Sequence, residues 1–117
     1  MNYLAYGWIE QDINIDRSLK MLQEAHEANP NSYYILDSLA WAHYKKNNLH
    51  LAAELMEKVI DMAPGEAISL DHLGDIYFSL NRNREAIFFW KQAKDLADPE
   101  DNIIENIEKK LNLYDQG

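Results

Sequence analysis

The sequence lacks several residue types that specialised sites require. It contains no cysteine, which excludes a disulfide framework, a thiolate zinc site, an iron–sulfur cluster and a cysteine nucleophile. Only 4 glycines occur, and they do not form the glycine-rich loop that cradles a phosphate group. The 4 histidines do not fall in a metal-ligand motif. We therefore expect neither a metal nor a cofactor.

Positive charge is scarce as well. The 11 lysines and arginines are outnumbered by 20 acidic residues, for a formal net charge of −9. Nucleic-acid backbones and anionic membranes both favour clustered cations, so this balance argues against either as a partner. Direct membrane insertion is not expected, because no apolar run approaches the roughly 20 residues that span a bilayer.

The compartment is left open by the sequence. The first residues lack the basic start and long apolar stretch of a signal peptide. A cysteine-free chain suits the cytosol and the periplasm equally. A free-standing chain would be cytoplasmic, whereas a piece cut from an exported parent would be periplasmic or tethered to a membrane. The length of 117 residues corresponds to one domain with a genuine core.

What the chain has in abundance is self-similarity at an offset of 34 residues. The matched pairs include Pro30 and Pro64, Tyr44 and Phe78, Ala52 and Ala86, and Met56 and Trp90. A fixed period of this length indicates a stack of equivalent structural units. Within each unit the apolar residues recur at helical spacing, and no stretch alternates long enough to predict a strand.

The spacing predicts helices over residues 32–46, 49–62, 66–80 and 84–97. Asn48 and Asn83 lie where a side-chain oxygen can cap a helix. Asp98 and Pro99 predict the start of a further helix, with Asp as cap and Pro at the first helical position. That last helix has one apolar stripe, which favours a terminal cap over a partner-seeking helix.

The third unit contains Leu70, Leu73, Gly74, Tyr77, Ala86 and Trp90 at the spacing of a known repeat. This pattern resembles the tetratricopeptide repeat family. The second unit matches at Leu36, Leu39, Ala40, Ala52, Met56 and Pro64, and the first, with one extra residue in its loop, matches more weakly. The amino-acid sequence of the repeats also resembles the C-terminal repeats of longer bacterial members.

The resemblance implies an all-α fold: an α-solenoid of three helix-turn-helix pairs plus a C-terminal capping helix, seven helices in total. Residues 1–30 would form repeat 1, short at its N-terminus, residues 31–64 repeat 2, residues 65–98 repeat 3 and residues 99–114 the cap. Ala5, Ala40 and Gly74 are the small residues that allow the paired helices to approach closely. The apolar residues 1–6 lack a cap, so we expect the chain to be an excerpt of a longer array, with possible self-association through its first helix.

In this family the first helices of successive units line a concave groove that holds a peptide or a helix. Carried over by position, the partner-binding groove here comprises Tyr6, Tyr34, Asp37, Ser38, Trp41, Tyr44, Lys45, Asp71, His72, Asp75 and Phe78. Trp41 is predicted to be a binding hot spot, with packing against the neighbouring repeat as the alternative. His43 takes the place of Trp8 and Tyr77 in the other units and is predicted to be a packing residue.

One subset of the family clamps C-terminal carboxylates with lysine and asparagine, but acidic residues stand at those positions here and Lys45 is the only nearby cation. We therefore expect a partner segment with basic and apolar side chains, the alternative being that the acids are a solvated face.

The sequence thus predicts a non-catalytic protein-binding scaffold. One alternative is the structural end of a longer array whose partner site lies upstream. A second is a hydrolase that uses Ser38 and His72 with Asp71 or Asp75.

Overall fold

The computed structural model describes residues 14–115, which form six α-helices and no strand. In chain order the helices are α1 (Ile15–Ala28), α2 (Tyr33–Lys45), α3 (Leu49–Met62), α4 (Ala67–Ser79), α5 (Asn83–Leu96) and α6 (Ile103–Tyr114). Each helix packs against the next one along the chain, and α2 also contacts α4. This is the solenoid of helix pairs that the repeat predicts. The seventh predicted helix, the first of repeat 1, falls outside the described residues.

The helices α2 to α5 begin and end within one residue of their predicted bounds. The start of α6 was predicted wrongly, because the helix begins at Ile103 and not at Pro99. The Asp98 side chain accepts a hydrogen bond from the Glu100 backbone N–H at 3.2 Å, and its carbonyl accepts one from Asp101 at 2.8 Å. These bonds close a turn, so Asp98 caps that turn and the helix follows it.

Two equivalent asparagines end the first helix of each described pair. Asn47 and Asn81 have left-handed backbone angles, φ 69° and 63°, which asparagine tolerates better than most residues. The next residue in each case donates its N–H to the carbonyl five residues back, Asn48 to His43 at 2.8 Å and Arg82 to Tyr77 at 2.9 Å. This is the Schellman arrangement.

The predicted asparagine caps are therefore only partly right. Asn48 does occupy the N-cap position of α3, but its side chain makes no cap hydrogen bond and lies 3.2 Å from Nδ1 of His43 instead. Asn83 is the first residue of α5, and Arg82 holds the N-cap position. What fixes both turns is the left-handed asparagine that precedes them.

One apolar seam runs through all six described helices. Each helix contributes a side chain that is at most 2% exposed, and these are Leu22, Leu39, Met56, Leu73, Trp90 and Ile107 in order. Because each pair buries its apolar face against its neighbours, the stack has a continuous core without one globular centre. Within residues 14–115, no helix is both long and apolar enough to cross a membrane.

In the third unit, α4 and α5 approach each other closely at Gly74 of α4. A Cβ atom at this position would lie 2.5 Å from Nε1 of Trp90 on α5, well inside van der Waals contact. Trp90 is itself 1% exposed and cannot move into solvent. The small residue predicted here is thus required by the indole ring that it faces. The equivalent residue in α2, Ala40, is fully buried.

We expect Gly74→Ala to lower the free energy of unfolding by about 1–3 kcal/mol, because even one methyl group displaces Trp90. Urea unfolding followed by far-UV circular dichroism measures the change. Gly65→Ala is the matched control, since no atom lies within 4 Å of a Cβ at Gly65. Equal stability of the two variants would contradict the close approach.

Candidate binding groove

Three helices line a groove on one side of the stack. Its cavity has a volume of about 490 Å³ and is bordered by Trp41 of α2, by Ile68, Asp71, His72 and Asp75 of α4, and by Ile103, Asn106, Lys109 and Lys110 of α6. The walls from α2 and α4 are the first helices of the second and third pairs, as predicted. The wall from α6 was not predicted. We refer to these nine residues as the groove.

The residues predicted for the partner site differ widely in exposure. Tyr34 is 53% exposed. Tyr44, Lys45, Asp71, Asp75 and Phe78 are partly buried, whereas Asp37, Ser38, Trp41 and His72 are buried. Tyr6 lies outside the described residues. The structure therefore brings Trp41, Asp71, His72 and Asp75 together in the groove, and it places the other predicted residues beside or beneath it.

Asp37 lies between α2 and α4 and is only 9% exposed. One of its carboxylate oxygens accepts a hydrogen bond from the Ser69 hydroxyl, and the other lies 3.0 Å from Nδ1 of His72. Both partners are on α4, so the carboxylate ties the first helices of two neighbouring repeats together. A buried carboxylate that already makes two hydrogen bonds is not available to a ligand, so Asp37 has a structural role.

The environment of His72 favours its protonated form. Burial by itself lowers the pKa of His72, but the hydrogen bond and the charge of Asp37, together with the charges of Asp71 and Asp75, outweigh it. The pKa of His72 is therefore raised above its ordinary value of 6.5. The imidazolium and the Asp37 carboxylate form an ion pair at the junction of the two repeats.

Trp41 is only 7% exposed, so the prediction of a large aromatic side chain left open on the concave surface is wrong. Its ring stacks on His72, with centroids 4.0 Å apart, and on Tyr44 at 4.5 Å. The alternative, packing against the neighbouring repeat, describes the structure better. The 7% exposed Trp41 still borders the cavity, and its Nε1 has no hydrogen-bond partner.

Asp71 and Asp75 are held by a lysine that the sequence analysis did not place here. Nζ of Lys110 lies 2.7 Å from Oδ1 of Asp71 and 2.8 Å from Oδ1 of Asp75. The expectation that Lys45 is the only cation near the groove is therefore wrong. The reason is geometric: α6 packs against α5 with one edge toward α4, which brings Lys110 across the two carboxylates.

Trp90 of α5 joins this cluster from below. Its indole N–H donates to Oδ1 of Asp75 at 3.0 Å, and the Lys110 ammonium lies 5.1 Å from the centre of its ring. The same ring packs near Phe78 and Tyr114, with centroids 5.6 and 6.1 Å away. Three helices thus meet at one tryptophan.

The two aspartates carry more negative charge than one lysine neutralises. Burial and the neighbouring charge of Asp75 raise the pKa of Asp71, although Lys110 acts in the opposite direction. Burial lowers the pKa of Lys110, but the two carboxylates outweigh it and raise the pKa above 10.5. The lysine is therefore firmly protonated.

The residues proposed for hydrolysis make other contacts. The Ser38 hydroxyl donates to the Tyr34 carbonyl at 3.1 Å, and His72 bonds to Asp37 and not to Asp71 or Asp75. These two hydrogen bonds connect Ser38 to its own helix and His72 to Asp37. His43 is partly buried, as a packing residue would be, and burial lowers its pKa. Among residues 14–115, no three acidic or histidine side chains converge to hold a metal ion.

The Asp37–His72 pair predicts a specific pH dependence. Because the pKa of His72 is raised in the folded state, its stabilising contribution is complete below about pH 6.5, the ordinary value, and is lost as the pH rises through the folded pKa. The lowered pKa of His43 reduces the stability of the fold only when the pH falls below about 6.5, so it does not contribute to this loss at higher pH.

We expect the NMR chemical shifts of the His72 ring protons to titrate with a midpoint above pH 6.5. Asp37→Asn should lower that midpoint. The fall in unfolding free energy above pH 6.5 should shrink in the same variant. A His72 midpoint at or below 6.5 in the wild type would contradict the ion pair.

Comparison with known proteins agrees with the repeat. A family model described as tetratricopeptide repeat matches residues 14–67 and 38–98, which together are most of the chain. No curated protein matches the chain.

Two solved structures have a similar fold. The first TPR of Spaghetti (RPAP3) bound to the HSP90 peptide SRMEEVD superposes with a TM-score of 0.74 at 15% identity, over 92% of this chain and 87% of that one. MamA MSR-1 C2 superposes with a TM-score of 0.68 at 20% identity, over 97% of this chain and 66% of that one. At these identities the likeness concerns the fold alone.

Proposed function

Because the chain belongs to the tetratricopeptide repeat family, we propose that it is a non-catalytic scaffold that binds a peptide or helical segment of a partner protein in the groove. Proteins of this family generally act as protein-interaction modules, and the structurally similar first TPR of Spaghetti (RPAP3) binds a peptide of HSP90. We also assign residues 31–64 and 65–98 to two repeats, and residues 99–114 to the cap.

The observation that supports this function best is the composition of the groove. Ile68 borders the cavity and is 47% exposed, and Trp41 and Ile103 add further apolar surface to the same cavity. Polar groups from α4 and α6 border the same cavity. An apolar strip with a few convergent polar groups is the usual make-up of a recognition site.

We further propose that the partner segment carries basic and apolar side chains. The net charge of −9 attracts cationic segments at long range and speeds their encounter. Within the groove, the carboxylates of Asp71 and Asp75 share the ammonium group of Lys110, and Lys109 also borders the cavity. Lys109 and Lys110 reduce the acidity that the sequence alone implies, and the preference therefore depends on both the overall and the local charge.

We expect Ile68→Ser to weaken peptide binding by at least about fivefold, which corresponds to about 1 kcal/mol. Peptides are first selected from a displayed random library on the immobilised chain, and their affinities are then measured by isothermal titration calorimetry. The reason is that the serine removes exposed apolar surface that borders the cavity while leaving the buried seam intact.

Leu96→Ser is the matched control. Leu96 is 52% exposed, close to the 47% of Ile68, but it ends α5 and does not border the groove. Its affinity for the same peptides should equal that of the wild type. If both variants bind equally well, or if only Leu96→Ser loses affinity, the peptides bind elsewhere on the chain and the groove is not the binding site.

A further inference from the structure

The contacts of Lys110 differ from those of the other ion pairs in the described part of the chain. Its ammonium is held by two carboxylates at 2.7 and 2.8 Å and lies over the ring of Trp90. Two carboxylates and an aromatic face are the groups with which proteins recognise a bound cation. We call Asp71, Asp75 and Trp90 the cation box.

The cation box is partly enclosed. The side chains of Lys110, Asp71 and Asp75 are 23%, 14% and 25% exposed. By comparison, the ion pair between Lys94 and Glu108, which links α5 to α6, has side chains 42% and 51% exposed and a distance of 3.4 Å. Charge–charge interactions are stronger where solvent is partly excluded, so occupancy of the box affects binding more than a surface pair does.

The cation box opens directly onto the groove. Asp71, Asp75 and Lys110 border the same cavity as Ile68 and Ile103. A segment that lies against the apolar strip therefore places its neighbouring side chains next to the box. The box itself carries two negative charges, now paired with Lys110, and two carboxylates can hold a ligand cation in place of that ammonium group.

Resting on the groove function proposed above, we propose that Lys110 is an internal occupant of the cation box, which a lysine or arginine of the partner segment displaces on binding. Lys110 thereby sets the affinity of the groove for basic segments. Its displacement requires no movement of α6, because a lysine has a flexible four-carbon stem that can carry the ammonium out to solvent.

This role makes a counter-intuitive prediction. Removing a lysine from the groove usually weakens the binding of an acidic ligand. Lys110→Met should also strengthen the binding of a basic ligand, and by more than the change in net charge alone would. The probes are the peptide SRMKKVK with an amidated C-terminus and the acidic peptide SRMEEVD. Affinities are measured by isothermal titration calorimetry at neutral pH and about 0.15 M salt, where long-range attraction is screened.

We expect Lys110→Met to bind SRMKKVK amide about tenfold more tightly than the wild type does, the size of effect found for close charge pairs at interfaces. Lys94→Met is the matched control, because it removes the same charge and also breaks a link between α5 and α6 without touching the box. Its affinity should change by less than about twofold, as expected for an exposed pair. Lys110→Arg restores an occupying cation and should return the affinity to the wild-type level.

An affinity of Lys110→Met for SRMKKVK amide that is unchanged, weaker or undetectable overturns the proposal. So does an equal gain in Lys94→Met, since that would reflect net charge alone. Thermal unfolding of each variant establishes that the compared proteins are folded at the temperature of the titration. If Ile68→Ser no longer binds the selected peptides while Lys110→Met binds SRMKKVK amide no more tightly than the wild type, the groove function stands and only the role of Lys110 fails.

Discussion

The packing of Trp90 against Gly74 is the contact on which the rest of the groove depends. Because Gly74 has no side chain, the indole ring of Trp90 approaches α4 closely, and its N–H donates to Asp75. The oriented carboxylate and its neighbour Asp71 then hold Lys110 of α6. One glycine in the first helix of a repeat therefore supports the side-chain contacts that connect α4 to the third wall of the groove.

A second tie stabilises the other side of the groove. Asp37 bonds to Ser69 and His72 across the junction between α2 and α4, and His72 in turn stacks on Trp41. In a solenoid each repeat contacts only its neighbours, so such ties set the angle between them. Two polar junctions thus hold groove residues in place: Asp37 bonds to His72, and Lys110 bonds to Asp71 and Asp75.

Much of this fold is predictable from the sequence, because helix pairs follow from a 34-residue period and from apolar spacing. The bounds of α2 to α5 follow from local pattern, and the small residue at position 74 follows from the resemblance to the repeat family. The burial of Trp41 does not, since it depends on how closely α4 approaches α2. Lys110 was missed for a similar reason: its position on α6 was visible, but the placement of α6 against α5 and α4 was not. The repeat register predicts neighbours within a unit better than contacts across units.

The central claim is that a partner segment lies in the groove between α2, α4 and α6. The most direct measurement is the change in the backbone amide and tryptophan indole N–H signals in a two-dimensional ¹H–¹⁵N NMR spectrum when a selected peptide is added. Shifts concentrated at Ile68, Ile103 and the Trp41 indole are the predicted result. Shifts concentrated instead at Leu51, Phe88 and Leu96, which are exposed residues of α3 and α5, would contradict it.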